Sequence, residues 1–312
     1  MKVGLVLVIA EHQELRRPYS YHKTHEFAQQ AEEAGFDSLW LYDHLLYRPE
    51  GKPTIGIWEC WTFLSALAEA TSKVELGTLV ACNSFRNPAL LAKMAITLDE
   101  VSNGRLILGV GAGWNKAEYE AFGYPFDHRV SRFEEALQII RPLLKDGRVD
   151  FEGKYYQAID CEIRPRGPRA GGPPLMVGCE GKRMLRLTAK YADLWNTGDL
   201  CEAASVEQTH QDLVEACQEV GRDPTTIGIT ALLYVHYPKM IPLPEGMDNP
   251  PLSGTPSQIA RAMLAYEQAG VEHIMVHLLP YAPAAMRKLE QALHLYRQIS
   301  GEQKIKSHPD RN

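Results

Sequence analysis

A histidine beside an aspartate, placed where an apolar run gives way to a loop, can hold or move a proton near neutral pH. Asp43-His44 stands in that position at the end of DSLWLYDH (37–44). The ordinary pKa of imidazole lets His44 donate or accept a proton during turnover, with Asp43 beside it; the plainer reading is a histidine capping a strand end. Further on, GRLILGVGAGWN (104–115) runs from an Asn103-Gly104 turn through apolar residues and stops in Gly111, Gly113, Trp114 and Asn115. Residues without a Cβ let a flat ligand approach the backbone, and the Asn115 amide can bond the edge of a heterocycle. The Gly109-x-Gly111-x-Gly113 spacing lacks the tight helix start of a dinucleotide loop. A third stretch, Gly178-Cys179-Glu180-Gly181-Lys182-Arg183, puts small residues and two cations just before a helix. That is either an anion site suited to phosphate or a plain strand-to-helix turn. Arg132 either adds a fork to the same phosphate or stays solvated. Asn83, in NSFRNP (83–88), reads as a ligand contact or as part of an ordinary turn and helix start.

Other residues suggest less chemistry. His273 and His277 share one strand face and read as core or rim histidines, with no acidic residue close in sequence. His22 and His25 read as solvated on a helix. Neither G-x-S-x-G nor H-E-x-x-H occurs. No metal site is expected. The six cysteines are scattered without a C-x-x-C pair, which suits free thiols in a reducing compartment and argues against structural zinc.

These residues need a frame, and strand-like runs alternate with helix-period segments almost from end to end. Strands are expected at 3–9, 38–42, 74–80, 106–110, 175–177, 193–196, 227–236 and 273–276. Helices are expected at 22–34, 59–70, 88–101, 131–145, 182–191, 202–220, 256–269 and 284–299. Eight such units without a composition break predict one (β/α)8 TIM barrel over 1–300, with a disordered tail at 301–312. A doubly wound sheet is the competing architecture. Segments 45–57, 114–130, 146–174 and 238–254 exceed simple connections, and long loops after barrel strands build the active-site face.

The 312 residues carry a net charge of -6, which gives no support for nucleic acid or a membrane surface as partner. No apolar run approaches the length of a membrane span, and the apolar start MKVGLVLVIAEH reads as a first strand without a leader cleavage site. The expectation is therefore a cytoplasmic protein.

GRLILGVGAGWNKAEYEAFGYPFDHRVSRFEEALQIIR (104–141) resembles the signature of the bacterial luciferase-like superfamily of flavin- and deazaflavin-dependent oxidoreductases. DSLWLYDH (37–44), LGTLVACNSFRNPALLAKMAITLDEVSNGR (76–105) and PLMVGCEGKRMLRLTAKYADLWN (174–196) follow the same pattern, and VEHIMVHLLPY (271–281) does so more loosely. The Asp-His pair and the FRNPALLAK block are most similar to the branch that uses coenzyme F420. The resemblance implies a luciferase-like barrel whose cofactor ring lies in the barrel mouth, with Asp43 and His44 flanking ring and substrate and His44 as acid/base. It also implies that Leu79, Val80 and Ala81 form a bulge after strand three, often with a non-prolyl cis peptide, that props the ring. Asn115 would lie near the ring, and Asn83, Gly111 and Gly113 around it. Gly178, Cys179, Glu180, Gly181 and Lys182 would form the phosphate loop, with Arg132 nearby.

The implied activity is hydride transfer between F420 and a small organic substrate, carried out by a homodimer. Cys179-Glu180 departs from the glycine pair of many relatives, and Ala81-Cys82-Asn83 departs from a Thr-rich run. A monooxygenase using reduced FMN is therefore the alternative within the family. From outside it come a non-catalytic flavin-binding barrel and a hydrolase or aldolase; the last lacks a paired carboxylate or Schiff-base lysine at the strand ends.

Overall fold

Short β-branched and aliphatic runs, bounded by turn residues, pair in parallel around a closed circle in the computed structural model. It describes residues 1–12, 17–199, 202–243 and 249–307. The barrel strands are β1 (Lys2–Val6), β2 (Ser38–Leu41), β3 (Glu75–Thr78), β4 (Leu106–Gly111), β5 (Leu175–Gly178), β6 (Leu194–Asp199), β7 (Gly228–His236) and β8 (His273–Leu279). Each pairs in parallel with the next, and β8 returns to β1 through Lys2 opposite His273 and Leu5 opposite Val276. This is the TIM barrel expected from the alternation, and it excludes the open doubly wound sheet.

Helices α1 (Tyr21–Glu33), α2 (Cys60–Ala70), α3 (Pro88–Val101), α4 (Lys116–Phe122), α5 (Arg129–Lys145), α6 (Lys182–Tyr191), α7 (Ser205–Val220), α8 (Pro256–Gln268) and α9 (Pro283–Ser307) follow the strands. Their starts are written locally. Asn87 accepts from the Ala89 and Leu90 N–H groups before Pro88, and Thr255 with Gln258 forms a reciprocal capping box for α8. The main apolar core lies between strands and helices.

A second apolar cluster fills the barrel itself. Trp40 is fully buried there with Val6, Ile107, Met176 and Met275. Room for that indole comes from glycine on both neighbouring strands. A Cβ on Gly77 would meet the ring at 2.1 Å, and one on Gly4 would meet Nε1 at 2.6 Å. The indole N–H donates to Ser38 Oγ at 2.6 Å, and that hydroxyl lies 2.7 Å from His273 Nε2. Residues beyond this plug on β1 to β8 form the mouth.

Segments read as plain loops contain order of their own. Helix α4 and an antiparallel hairpin, Arg148–Glu152 with Gln157–Glu162, fall inside 114–130 and 146–174. The final helix runs to Ser307, so 301–307, expected in the tail, are helical; 308–312 lie outside the described residues. Cys60, Cys82, Cys161, Cys179 and Cys217 are unbridged, and Cys201 lies outside the described residues. Among the described residues no helix is long and apolar enough to cross a membrane, and no cluster of three His, Cys, Asp or Glu could hold a metal.

Candidate active site

Strand β2 leads into Tyr42, Asp43 and His44, and each is held by a different neighbour. The Tyr42 hydroxyl accepts from the Ile9 and Ala10 N–H groups at 3.0 and 2.9 Å. Burial pushes that phenol up to about 12, so it is neutral. Asp43 Oδ2 accepts from the Cys82 N–H at 2.9 Å and from Arg86 Nη1 at 2.6 Å, while Oδ1 accepts from Arg86 Nη2 at 3.0 Å. Arg86 also reaches Glu59 Oε1 at 2.6 Å. Burial pushes the Asp43 carboxyl above its ordinary value, against the pull of the Arg86 charge. The Asp43 acceptors are thus engaged inside the protein, tying the end of β2 to the segment after β3.

His44 is paired differently. Its Nδ1 lies 2.8 Å from Oε1 of Glu118, a 2% exposed residue of α4, whose Oε2 accepts the Leu45 N–H at 2.8 Å. An ionised carboxylate only accepts, so the imidazole proton belongs on Nδ1 and Nε2 is left to face a bound molecule. Trp114 meets the His44 ring edge to face at 5.5 Å, and the Tyr47 ring lies 4.5 Å from His44 and 6.2 Å from Trp114.

A cavity of about 510 Å³ opens beside His44 along the ends of β2 to β6. That is the size of a small-molecule site. After β3 the chain turns through a cis Leu79–Val80 peptide and resumes pairing with β4 at Ala81 and Cys82. Val80 is admitted to the middle of the mouth by two glycines. A Cβ on Gly111 would meet Val80 Cγ2 at 2.8 Å, and one on Gly178 would meet Cγ1 at 2.9 Å. At the far end β5 runs into α6, capped by Gly181 at φ 84°. The first intrahelical bond there joins the Leu185 N–H to the Gly181 carbonyl, so the N–H groups of 182–184 have no partner within the helix. Cys179 Sγ lies 3.2 Å from Thr188 Oγ1, and burial pushes its thiol up to about 11, a protonated and unreactive state at neutral pH.

A second cavity, about 470 Å³, lies on the opposite half of the mouth along β7, β8, β1 and β2. His44, Leu79, Trp114 and Leu232 line both.

Of the residues singled out from sequence, Asp43, His44, Leu79, Val80, Ala81, Gly111, Gly113, Gly178, Cys179 and Glu180 line the first cavity. Asn83, Asn115, Arg132, Gly181 and Lys182 do not. Asn115 donates its amide to the Leu46 carbonyl at 3.0 Å, holding a loop where a ring contact was expected. Arg132 bonds the carbonyl and carboxylate of Asp127, and its guanidinium covers the Tyr155 ring at 4.5 Å. Asn83 is buried, with Nδ2 3.4 Å from the Tyr156 hydroxyl. Sequence reasoning missed Glu118, Met184, Asn196, Gly198 and Leu232, which also line the cavity. For Glu118 the available signal was an acid in the first turn of a short helix directly after the glycine run.

Residues 1–241 match the family model described as luciferase-like monooxygenase. An F420-dependent glucose-6-phosphate dehydrogenase of Amycolatopsis mediterranei is 36% identical over 62% of this chain and 57% of its own length. A 5,10-methylenetetrahydromethanopterin reductase of Archaeoglobus fulgidus is 31% identical over 55% and 48%. The chain thus aligns with only about half the length of these two relatives. A further F420-dependent glucose-6-phosphate dehydrogenase, from Kineococcus radiotolerans, is 31% identical over 82% of this chain and 86% of its own. In fold, the chain resembles an F420-dependent secondary alcohol dehydrogenase in complex with an F420-acetone adduct. That likeness has a TM-score of 0.79 at 20% identity, covering 95% of this chain and 99% of the other. A monooxygenase from Streptomyces bottropensis gives 0.75 at 21%, covering 95% and 100%.

Proposed function

The chain belongs to the luciferase-like monooxygenase family, and from that premise we propose that it is an oxidoreductase moving a hydride between coenzyme F420 and a small organic substrate. The observation that carries this reading is the His44–Glu118 pair at the junction of two cavities, one able to take a cofactor and the other a substrate. The F420-dependent names of two relatives, at 36% and 31% identity, support the choice of cofactor.

The first cavity fits such a group in two respects. Val80, seated between two glycines, offers an apolar bearing surface for a flat ring, and the start of α6 offers N–H groups without a partner inside the helix for a phosphate. A deazaflavin held there would exchange a hydride with the carbon of an alcohol or carbonyl compound, and as an alcohol is oxidised the bare His44 Nε2 would take the proton from its hydroxyl. The remaining work belongs to the chain. Glu118 fixes the His44 tautomer. Asp43 is a positioning residue that holds the end of β2 against the Cys82 N–H and Arg86. Trp114 shields His44 from water on one side.

The alternative, a monooxygenase using reduced FMN, draws on Glu180 in the phosphate loop and on the fold likeness to a monooxygenase. Titration of the purified protein with F420 and with FMN, each oxidised and reduced, separates the two by cofactor fluorescence. Micromolar or tighter F420 binding with FMN at least tenfold weaker is the expected outcome. The reverse preference, with substrate-dependent oxygen uptake, replaces the hydride-transfer reading.

A further inference from the structure

The second cavity differs from the first in its lining. Its walls are the rings of Tyr42, Tyr47, Trp114 and Tyr234, completed by aliphatic residues such as Val8 and Ile55. Among the described residues no lysine or arginine lines it, and its only carboxylate is Glu11, whose Oε2 accepts the Gly56 N–H at 2.7 Å. Tyr42, Tyr47 and His277, three further titratable walls, are uncharged near neutrality. Burial pushes Tyr42 up to about 12, raises Tyr47 above its ordinary value, and brings the His277 imidazole down to about 4. An anion entering this space would leave water for apolar walls and a carboxylate, with no lysine or arginine among the described residues to receive it.

We propose that this chamber selects an uncharged, largely apolar alcohol or carbonyl compound, oriented by His44, and rejects phosphorylated sugars and other anions. The inference rests on the hydride-transfer reading for what happens to the substrate, but its choice of ligand follows from the chamber alone. It separates this chain from the activity named for two of its relatives, glucose-6-phosphate dehydrogenation. The aromatic walls favour a planar or ring-bearing substrate, which they can sandwich at little conformational cost.

The experiment is calorimetric titration with acetophenone, glucose and glucose 6-phosphate as probes. It is run on the protein alone and on protein saturated with whichever cofactor it binds. Acetophenone should bind at least tenfold more tightly than glucose 6-phosphate in both forms. Glucose 6-phosphate binding as well as acetophenone, or acetophenone failing to bind, overturns the proposal. Ile55 lines this chamber and not the first, in a half-buried two-residue strand near the surface. Ile55→Trp should weaken acetophenone at least tenfold while leaving the cofactor Kd within twofold. A shift in the cofactor Kd with the ketone unmoved would assign the chamber to the cofactor and overturn the proposal as well. The wild-type comparison needs no variant, so a misfolded substitution leaves the test intact. A protein that binds FMN and still prefers acetophenone would sink the F420 reading while leaving the substrate class standing.

Discussion

A carboxylate beside an imidazole fixes which nitrogen carries the proton, and the two oxygens of Glu118 have two donors to satisfy, His44 Nδ1–H and the Leu45 N–H. Glu118→Gln replaces one acceptor with a donor, so one of those two partners is left facing an N–H group. The imidazole can respond by moving its proton to Nε2, the wrong nitrogen for a base that faces substrate. If His44 is the acid/base, kcat should fall by about 10²-fold, at the low end of what positioned proton transfer contributes. The pH dependence of kcat should change with it, while cofactor affinity stays within twofold. Loss of a buried hydrogen bond also costs about 1–3 kcal/mol of stability. A variant that melts earlier but keeps the wild-type pH profile and kcat would reduce Glu118 to a packing residue. Asp43 illustrates the opposite arrangement, since Arg86 and the Cys82 N–H occupy its oxygens and leave it to hold the loop.

Strand β4 shows how an element makes room for a site. Gly109 faces the end of β3, where Thr78 Oγ1 donates to the Gly109 carbonyl at 2.6 Å and accepts the Gly109 N–H at 3.1 Å. A Cβ there would meet the Thr78 carbonyl oxygen at 2.0 Å, an atom of the backbone that cannot swing aside. Gly109→Ala should therefore cost about 3 kcal/mol, the upper range for overpacking, and disturb the turn at 79–80 that follows. Urea unfolding monitored by circular dichroism tests this, and a loss under 1 kcal/mol would show that β3 and β4 can separate freely.

The glycine run itself was legible in the sequence, as were the eight strands and the helix starts at Pro88 and Lys182, because apolar period and cap residues are local signals. What was not legible depended on distant partners. Glu118 meets His44 across 74 residues. The Arg132 guanidinium covers the Tyr155 ring, 23 residues on, and the Asn115 amide bonds the Leu46 carbonyl across 69 residues. Helix α4 was hidden by its seven-residue length, too short for a periodic pattern to declare itself.

At the scale of the whole molecule, the barrel is sealed beneath the site by Trp40, and the seal includes a titratable group. His273 is 3% exposed, accepts or donates at Ser38 Oγ, and is brought down to about 3 by burial. In the unfolded chain it titrates near 6.5. Between those values the unfolded state binds the proton and the folded state does not, so stability rises with pH across that window. Its contribution is fully present above about pH 6.5 and drains away as the pH falls toward 3. From pH 7.5 to 5.5 this one residue should remove about 1.5 kcal/mol from the unfolding free energy. His277, brought down to about 4, adds a loss of the same sign. The interval stops above the range in which most carboxylates titrate, so histidines dominate it. His273→Gln can keep a hydrogen bond to Ser38 and carries no titratable group. It should be less stable than the parent at pH 7.5, yet lose less between pH 7.5 and 5.5, measured by urea midpoints. Equal slopes for parent and variant would mean that the His273 proton is not excluded from the folded barrel, and that water reaches the plug from the closed end.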